Sequence, residues 1–318
     1  MSSQLNRRKI AFWALGTFVF VLACSIVMGP TASAPSTPAF DTTKAALEFQ
    51  ATAMSLQMTQ AALNNAQSQP TQAPAAVEPT VQPPSILPTS TQDVSTRIKN
   101  AKILVYEDAQ GAGLGTWVKQ TLNTMGLNYT WDGDALGNFM DDLNSGTKWD
   151  LIIVAAENRS GVQGEFWDVI MPKVNNDKTA LIVEMWYLSD IANGRISALT
   201  SKCGIRFQKV RAQVDSIYTL DTSHPVFTTP NSNFGLTHYV GYWTDKGGDY
   251  IRLSGGDAQL LAGGYATNKS DYGLIAACIE GRVIVQTFSD HDYHQDDIMA
   301  LWENYVTYVL TNHFAVAP

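Results

Sequence analysis

Cysteine is scarce in this chain: three among 318 residues, too few for a disulfide framework to hold a protein of this size together. Charge is scarce as well, at 16%, and basic charge is the scarcer sign. The 21 Lys and Arg against 29 Asp and Glu leave a formal charge of -8. Residues 1–95 hold four basic groups (Arg7, Arg8, Lys9, Lys44) and four acidic ones (Asp41, Glu48, Glu78, Asp93), so residues 96–318 carry the whole deficit. Such a surface repels a phosphate backbone, which argues against nucleic acid as a partner. A repeat of fixed period is missing, which excludes a solenoid. What is present is a 45% share of hydrophobic residues, enough for a globular core and incompatible with a wholly disordered or collagen-like chain.

Long apolar runs are rare but not absent. Ile10 to Met28 contains 19 residues without a charge. At the helical rise it reaches about 28 Å, close to the hydrocarbon thickness of a bilayer. Arg7, Arg8 and Lys9 precede it, so its N-terminal side is expected in the cytoplasm and the rest of the chain outside. The length favours an uncleaved single-pass anchor. A cleaved signal peptide ending near Ala34 and a lipidated Cys24 are the alternatives. The expected layout is a cytoplasmic tail (1–9), an anchor (10–28), a stalk (29–66), a linker (67–96) and an outer domain (97–318). In the stalk, Asp41 is a suitable N-cap. Leu47, Ala51, Met54, Met58 and Ala61 then follow heptad spacing. That seam could gather chains into a homo-oligomer through residues 40–66, or it is a plain linker helix. Pro70, Pro74, Pro79, Pro83, Pro84 and Pro88 mark an extended spacer.

From Ile98 the pattern changes to alternating strands and helices. Ile103–Tyr106, Leu151–Val154 and Ala180–Val183 are continuous apolar runs, and Leu127–Trp131 is another short strand. Helical spacing is read over 114–125, 135–143, 165–174 and 191–201. Strands without polar alternation are buried on both faces, which predicts an α/β, doubly wound, mostly parallel sheet. Past Gly204 the turns at 245–248 and 254–257 predict an antiparallel extension. Arg282–Phe288 returns to the core, and a final helix over about 295–312 packs back.

This order resembles the class I glutamine amidotransferase-like superfamily, nearer its ThuA-like, non-amidotransferase branch. The resemblance rests on the Ile103–Asp108 and Trp149–Glu157 strands, the 203–207 segment, His224-Pro225-Val226-Phe227, and the closing Gly281–Val285 strand. It implies a flavodoxin/amidotransferase-like sheet. Active members carry a cysteine nucleophile on a tight glycine-rich turn after the fourth strand, with a histidine and a carboxylate after the last core strand. Here the turn reads Val183-Glu184-Met185-Trp186-Tyr187-Leu188, with neither cysteine nor glycine. The other corner is well supplied, with Ser289-Asp290-His291-Asp292-Tyr293-His294. An acid–base pair without its nucleophile cannot perform acyl transfer.

Parallel strands bring their C-terminal ends to one edge, where such folds bind ligands. That edge is expected to gather Glu107, Asp108, Glu157, Asn158, Trp186, Asp292 and His294 as ligand-binding residues, with Trp186 stacking on a sugar. Glu184, Asp290 and His291 are the candidates for acid–base work. Ser289 or Asp290 could instead simply cap the last helix. No metal is expected, because the spacing matches no metal signature. Gln110–Gly115 lacks the dinucleotide spacing, so no cofactor is expected either. Cys203 and Cys278 either pair or act as small buried hydrophobes. His224 is expected to cap a backbone group. The expected function is a membrane-anchored binding module for a carbohydrate or an envelope protein. The alternatives are a hydrolase of envelope glycans and a structural subunit of a surface assembly.

Overall fold

The computed structural model describes residues 91–109, 112–158, 164–212, 216–243 and 246–317. The expected anchor, stalk and most of the linker lie outside these residues. Among the described residues no helix is long and apolar enough to cross a membrane. Residues 91–96, read as the end of the linker, open a helix instead. This is α1 (Thr91–Lys99), whose Arg97 sits over the Phe314 ring and donates to its carbonyl at 2.9 Å.

The apolar runs become β1 (Ile103–Glu107), β3 (Leu151–Ala155) and β4 (Ala180–Glu184), every residue of them buried. Between them stand α2 (Trp117–Thr124), β2 (Tyr129–Gly133), α3 (Leu136–Asn144) and α4 (Trp167–Pro172). Pro172 lacks a backbone donor, and the chain widens after it into a π-turn, Lys173–Asp177. The helix read over 191–201 is two pieces, α5 (Leu188–Ile191) and α6 (Ser197–Cys203), parted around Gly194. The remaining strands are β5 (Ile205–Val210), β6 (Tyr218–Thr219), β7 (Asp249–Leu253), β8 (Gln259–Gly263), β9 (Gly273–Cys278) and β10 (Val283–Gln286). The chain closes with α7 (Gln295–Val316).

The sheet order is β2-β1-β3-β4-β10-β9-β7-β5, with β8 on β9 and β6 on β8. The strands β2, β1, β3, β4 and β10 run parallel, and the rest form the antiparallel extension. Alternate residues feed two cores. Ile103, Val105, Ile153 and Ile182 face α2 and α7, while Leu104, Ile152, Leu181 and Val183 face α3, α4 and α6. Full burial of each such side chain stabilises the fold by about 1.5–3 kcal/mol. The expected doubly wound architecture is present.

Cys203 ends α6 and forms a disulfide with Cys278 at the end of β9. Gly204 follows at φ +81, and a Cβ there would overlap the Gly255 carbonyl, so only glycine fits. On the other side of the sheet, His224 does cap a backbone group, its Nδ1 accepting from Val226 N at 3.2 Å.

Candidate functional site

Side-chain alternation decides what gathers at the C-terminal edge. Glu107 and Glu184 continue the faces of Val105 and Ile182, so both lie on the α2/α7 side. In register with Glu184, Gln286 ends β10. Two residues past β3, Glu157 joins them. Three glutamates from three neighbouring strands therefore share one end of one face.

Each has a different task. Glu107 caps α2, accepting from Val118 N at 2.8 Å, Lys119 N at 3.2 Å and Trp131 Nε1 at 3.0 Å. Burial raises its pKa and those bonds only partly offset the effect. Glu157 is the hub: it accepts from Ser289 Oγ, Asp290 N and Trp243 Nε1, each at 2.8 Å, and meets His291 Nδ1 at 3.1 Å. Glu184 is fully buried, and neither carboxyl oxygen has a hydrogen-bond partner. Burial, then the charges of Glu157, Asp290 and Asp292, raises its pKa well above the usual carboxylate range.

His291 is clamped at both nitrogens. Nδ1 faces Glu157, Nε2 lies 3.0 Å from the Gly115 carbonyl, and the ring packs on Trp117 with centroids 4.0 Å apart. Burial alone would lower its pKa, but the bond to Glu157 and that carboxylate's charge outweigh it, and the net shift is upward. Both ring nitrogens thus face protein oxygens, and neither is left free for a substrate.

Asp290 accepts from Gln286 Nε2 at 2.6 Å and from Trp302 Nε1 of α7 at 2.7 Å. Burial, then the Glu157 charge, pushes its pKa up to about 7. Asp292 fastens the segment before β7. Its carbonyl accepts from Tyr239 N and Val240 N, and its Oδ1 accepts from Tyr242 N at 2.8 Å. Burial pushes Asp292 up to about 6. Tyr242 in turn donates to the Ala112 carbonyl at 2.7 Å. This strap carries the exposed Tyr239 (64% exposed), packed at a tilt against His294 with centroids 4.2 Å apart. Trp117, Tyr239, His291, His294 and Asp296 line a groove of about 470 Å³ beside it.

Several expectations change. Trp186 is fully buried, donates to the Glu157 carbonyl at 2.8 Å and stacks on Trp243 at 4.8 Å, so it offers no face to a sugar. Glu184 and Asp290 are sealed beneath α7, out of a substrate's reach. Asp108 is buried against the Tyr106 hydroxyl at 3.2 Å, and burial raises its pKa. Asn158 is half-buried, and its backbone bonds the Asp108 and Tyr187 groups. Neither Ser289 nor Asp290 caps α7. Its N-cap is His294, without a side-chain bond, and Ser289 caps the short Asp290–Asp292 turn, accepting from His291 N.

Trp117 and Tyr239, which wall the groove, and Trp243, which stacks on Trp186, are not among the residues the sequence singles out. Nor does it single out a buried ion pair, Lys246 Nζ to Asp249 Oδ2 at 3.1 Å, set against the Trp186 ring. Nothing in the local sequence at 239–249 signals these roles.

The turn after β4 lacks the geometry of a strained nucleophile bend. No residue from 183 to 188 has a positive φ, and Met185 N simply continues pairing with the Gln286 carbonyl at 3.0 Å. Cys203 and Cys278 are bonded to each other on the α6 side of the sheet. Cys278 pairs with Val283, at the far end of β10 from His291. Among the described residues no free thiol accompanies His291.

No family model and no curated protein matches the chain. It is similar to solved structures at low identity. A candidate ThuA-like protein from Parabacteroides merdae is 11% identical over 67% of this chain and 90% of that one, with a TM-score of 0.42. A candidate GMP synthase component from Thermoplasma acidophilum is 10% identical over 65% and 94%, at 0.38. A glutamine amidotransferase from Thermotoga maritima is 7% identical over 68% and 96%, at 0.36. No activity is read across from them.

Proposed function

We propose that this chain is a membrane-anchored, extracytoplasmic binding module, built on an amidotransferase-like fold without a thiol nucleophile, that holds a carbohydrate in the groove beside His291. One observation carries the reading. The groove is walled by Trp117 and Tyr239, while every acid beneath it is committed to an internal bond or sealed. Aromatic rings above, with hydroxyl-seeking groups such as His294 and Asp296 at the rim, suit a sugar with one apolar face and polar edges. His291 serves the wall by fixing Trp117, not by transferring protons.

The anchor reading is supported by the uncharged 10–28 run and its basic flank. The Cys203–Cys278 disulfide supports an oxidising compartment for the domain. Gathering of chains through residues 40–66 is a separate proposal, tested by the mass of the detergent-solubilised particle with and without that segment. An unchanged mass removes it. The test of the function is glycan binding by the detergent-purified full chain. Retention of a glycan that Tyr239→Ala weakens supports the reading, and no retention of any glycan refutes it.

A further inference from the structure

The sheet face beneath α2 and α7 continues onto the antiparallel extension. There β5 and β7 set four side chains in one block. Arg206 stands directly opposite Arg252, and Lys209 directly opposite Tyr250. Their neighbours Ile205, Phe207, Ile251 and Leu253 turn to the α6 side, so the block shares the face of Tyr250. Tyr272 adds a ring 5.4 Å from Tyr250, and Tyr265 another 4.9 Å from Tyr272. Lys209 Nζ lies 4.9 Å from the Tyr272 ring and 5.8 Å from that of Tyr250.

These rings are held in place by their own bonds. Tyr272 sits at φ +58, a backbone region that bulky side chains rarely adopt. Its N–H donates to Gln208 Oε1 at 2.8 Å, and its carbonyl accepts from Gly264 N at 2.9 Å. Gly264 leaves room where a Cβ would strike the Tyr250 hydroxyl. Tyr265 is 52% exposed, so the outermost ring is open to solvent.

The charge in the block has no internal partner. Like charges directly opposite on neighbouring strands repel, and nothing lies between Arg206 and Arg252 to offset this. Among the described residues neither guanidinium makes a side-chain hydrogen bond, and neither they nor Lys209 have a carboxylate within ion-pair reach. Each guanidinium carries five donors. Arg252 Nε is shielded from water and still has no acceptor, a costly state for a charged group. Asp249 of β7 alternates to the other face, where Lys246 neutralises it. Asp271, which accepts from Ser270 Oγ at 3.1 Å, is the described acid beside the patch. Counted at full charge, it leaves three cations against one anion.

We propose that this patch is a second binding site, for a polysaccharide bearing carboxylate groups. A carboxylate seats between Arg206 and Arg252, and the sugar ring lies on Tyr265. The planar guanidinium matches a carboxylate with two parallel bonds, and a tyrosine offers an apolar face with a polar edge. None of these residues lines the groove beside His291. The proposal goes beyond the groove reading and does not rest on it.

The test measures binding of the detergent-purified full chain to immobilised polygalacturonate, neutral dextran and dextran sulfate. Wild type is expected to bind polygalacturonate and not dextran. The double variant Arg206→Gln, Arg252→Gln should bind about tenfold more weakly or worse. Its melting temperature should not fall, since it removes two opposed like charges. Arg252→Lys keeps the charge but loses the fork, and should also weaken binding. Tyr239→Ala, in the groove, should leave it unchanged. Failure to bind polygalacturonate overturns the proposal, and so does full binding by the double variant. Equal binding of dextran sulfate with a harmless Arg252→Lys overturns it as well, because the patch would then read charge alone. Loss of binding in Tyr239→Ala would place the polymer in the groove and end the case for a second site. If the double variant melts lower, the exposed Tyr265→Ala decides: a several-fold loss supports the proposal and unchanged affinity overturns it.

Discussion

His291 Nδ1 lies 3.1 Å from Glu157 Oε1, while the same carboxylate holds Ser289, Asp290 and Trp243. One buried acid therefore organises this corner of the sheet edge. Removing one partner of such a pair leaves an uncompensated charge, at a cost of about 3–5 kcal/mol. The side chain of His291 is only 8% exposed, so His291→Ala should fall near the low end of that range in chemical denaturation. It should also loosen Trp117.

The pair sets a pH dependence. The folded pKa of His291 is raised, so its contribution is fully present below about 6.5 and is lost as pH rises through the raised value. Asp290 acts in the same direction, because its pKa rises from 3.8 to about 7 on folding. Stability is therefore expected to decline steadily from mildly acid to neutral pH. Urea midpoints across that range check it, and a midpoint rising toward neutrality contradicts it.

Glu184→Gln isolates the sealed acid. The folded pKa of Glu184 stands well above 4.5, so its contribution is lost as pH rises past 4.5. The amide cannot ionise. Whatever constant cost the substitution carries, the variant's stability relative to wild type should grow as pH rises. A difference that stays flat with pH would show Glu184 ionised in the folded protein.

Trp186 and Trp117 should separate folding from binding. Trp186 is fully buried, so Trp186→Ala should cost about 3–5 kcal/mol of stability. Trp117 is half-buried in the groove wall, so Trp117→Ala should weaken glycan retention at a smaller stability cost. Melting temperature and retention, measured on both variants, check the assignment.

Cys203 and Cys278 close a 75-residue separation. Loop entropy assigns such a bond about 4 kcal/mol. The double variant to alanine should melt well below wild type, and reductant should bring wild type to the same level. Neither change should alter glycan retention, since the bond lies on the α6 side of the sheet.

Much of the fold was legible because the apolar runs at 103–106, 151–154 and 180–183 admit no other burial than a sheet covered on both faces. Placing Glu107, Glu157 and Glu184 at one edge follows from the same alternation. What could not be read is which polar groups are spent on the structure itself. By position Trp186 suits a sugar platform, but a strap some 55 residues later brings Trp243 over it. That pairing is set by long-range packing, with no local signal. Helix ends misled for a similar reason, since Ser289 caps a short turn only because Glu157 holds its hydroxyl. Asp290 and Glu184 looked like acid–base candidates until α7 closed over them.

The account stands or falls on the aromatic groove. The most direct measurement is retention on a glycan array of the full chain in detergent, wild type beside Tyr239→Ala, with both checked for equal melting temperature. The account predicts that wild type retains at least one glycan class and that the variant loses most of it. Wild type retaining nothing, or the variant retaining as much as wild type, would contradict it.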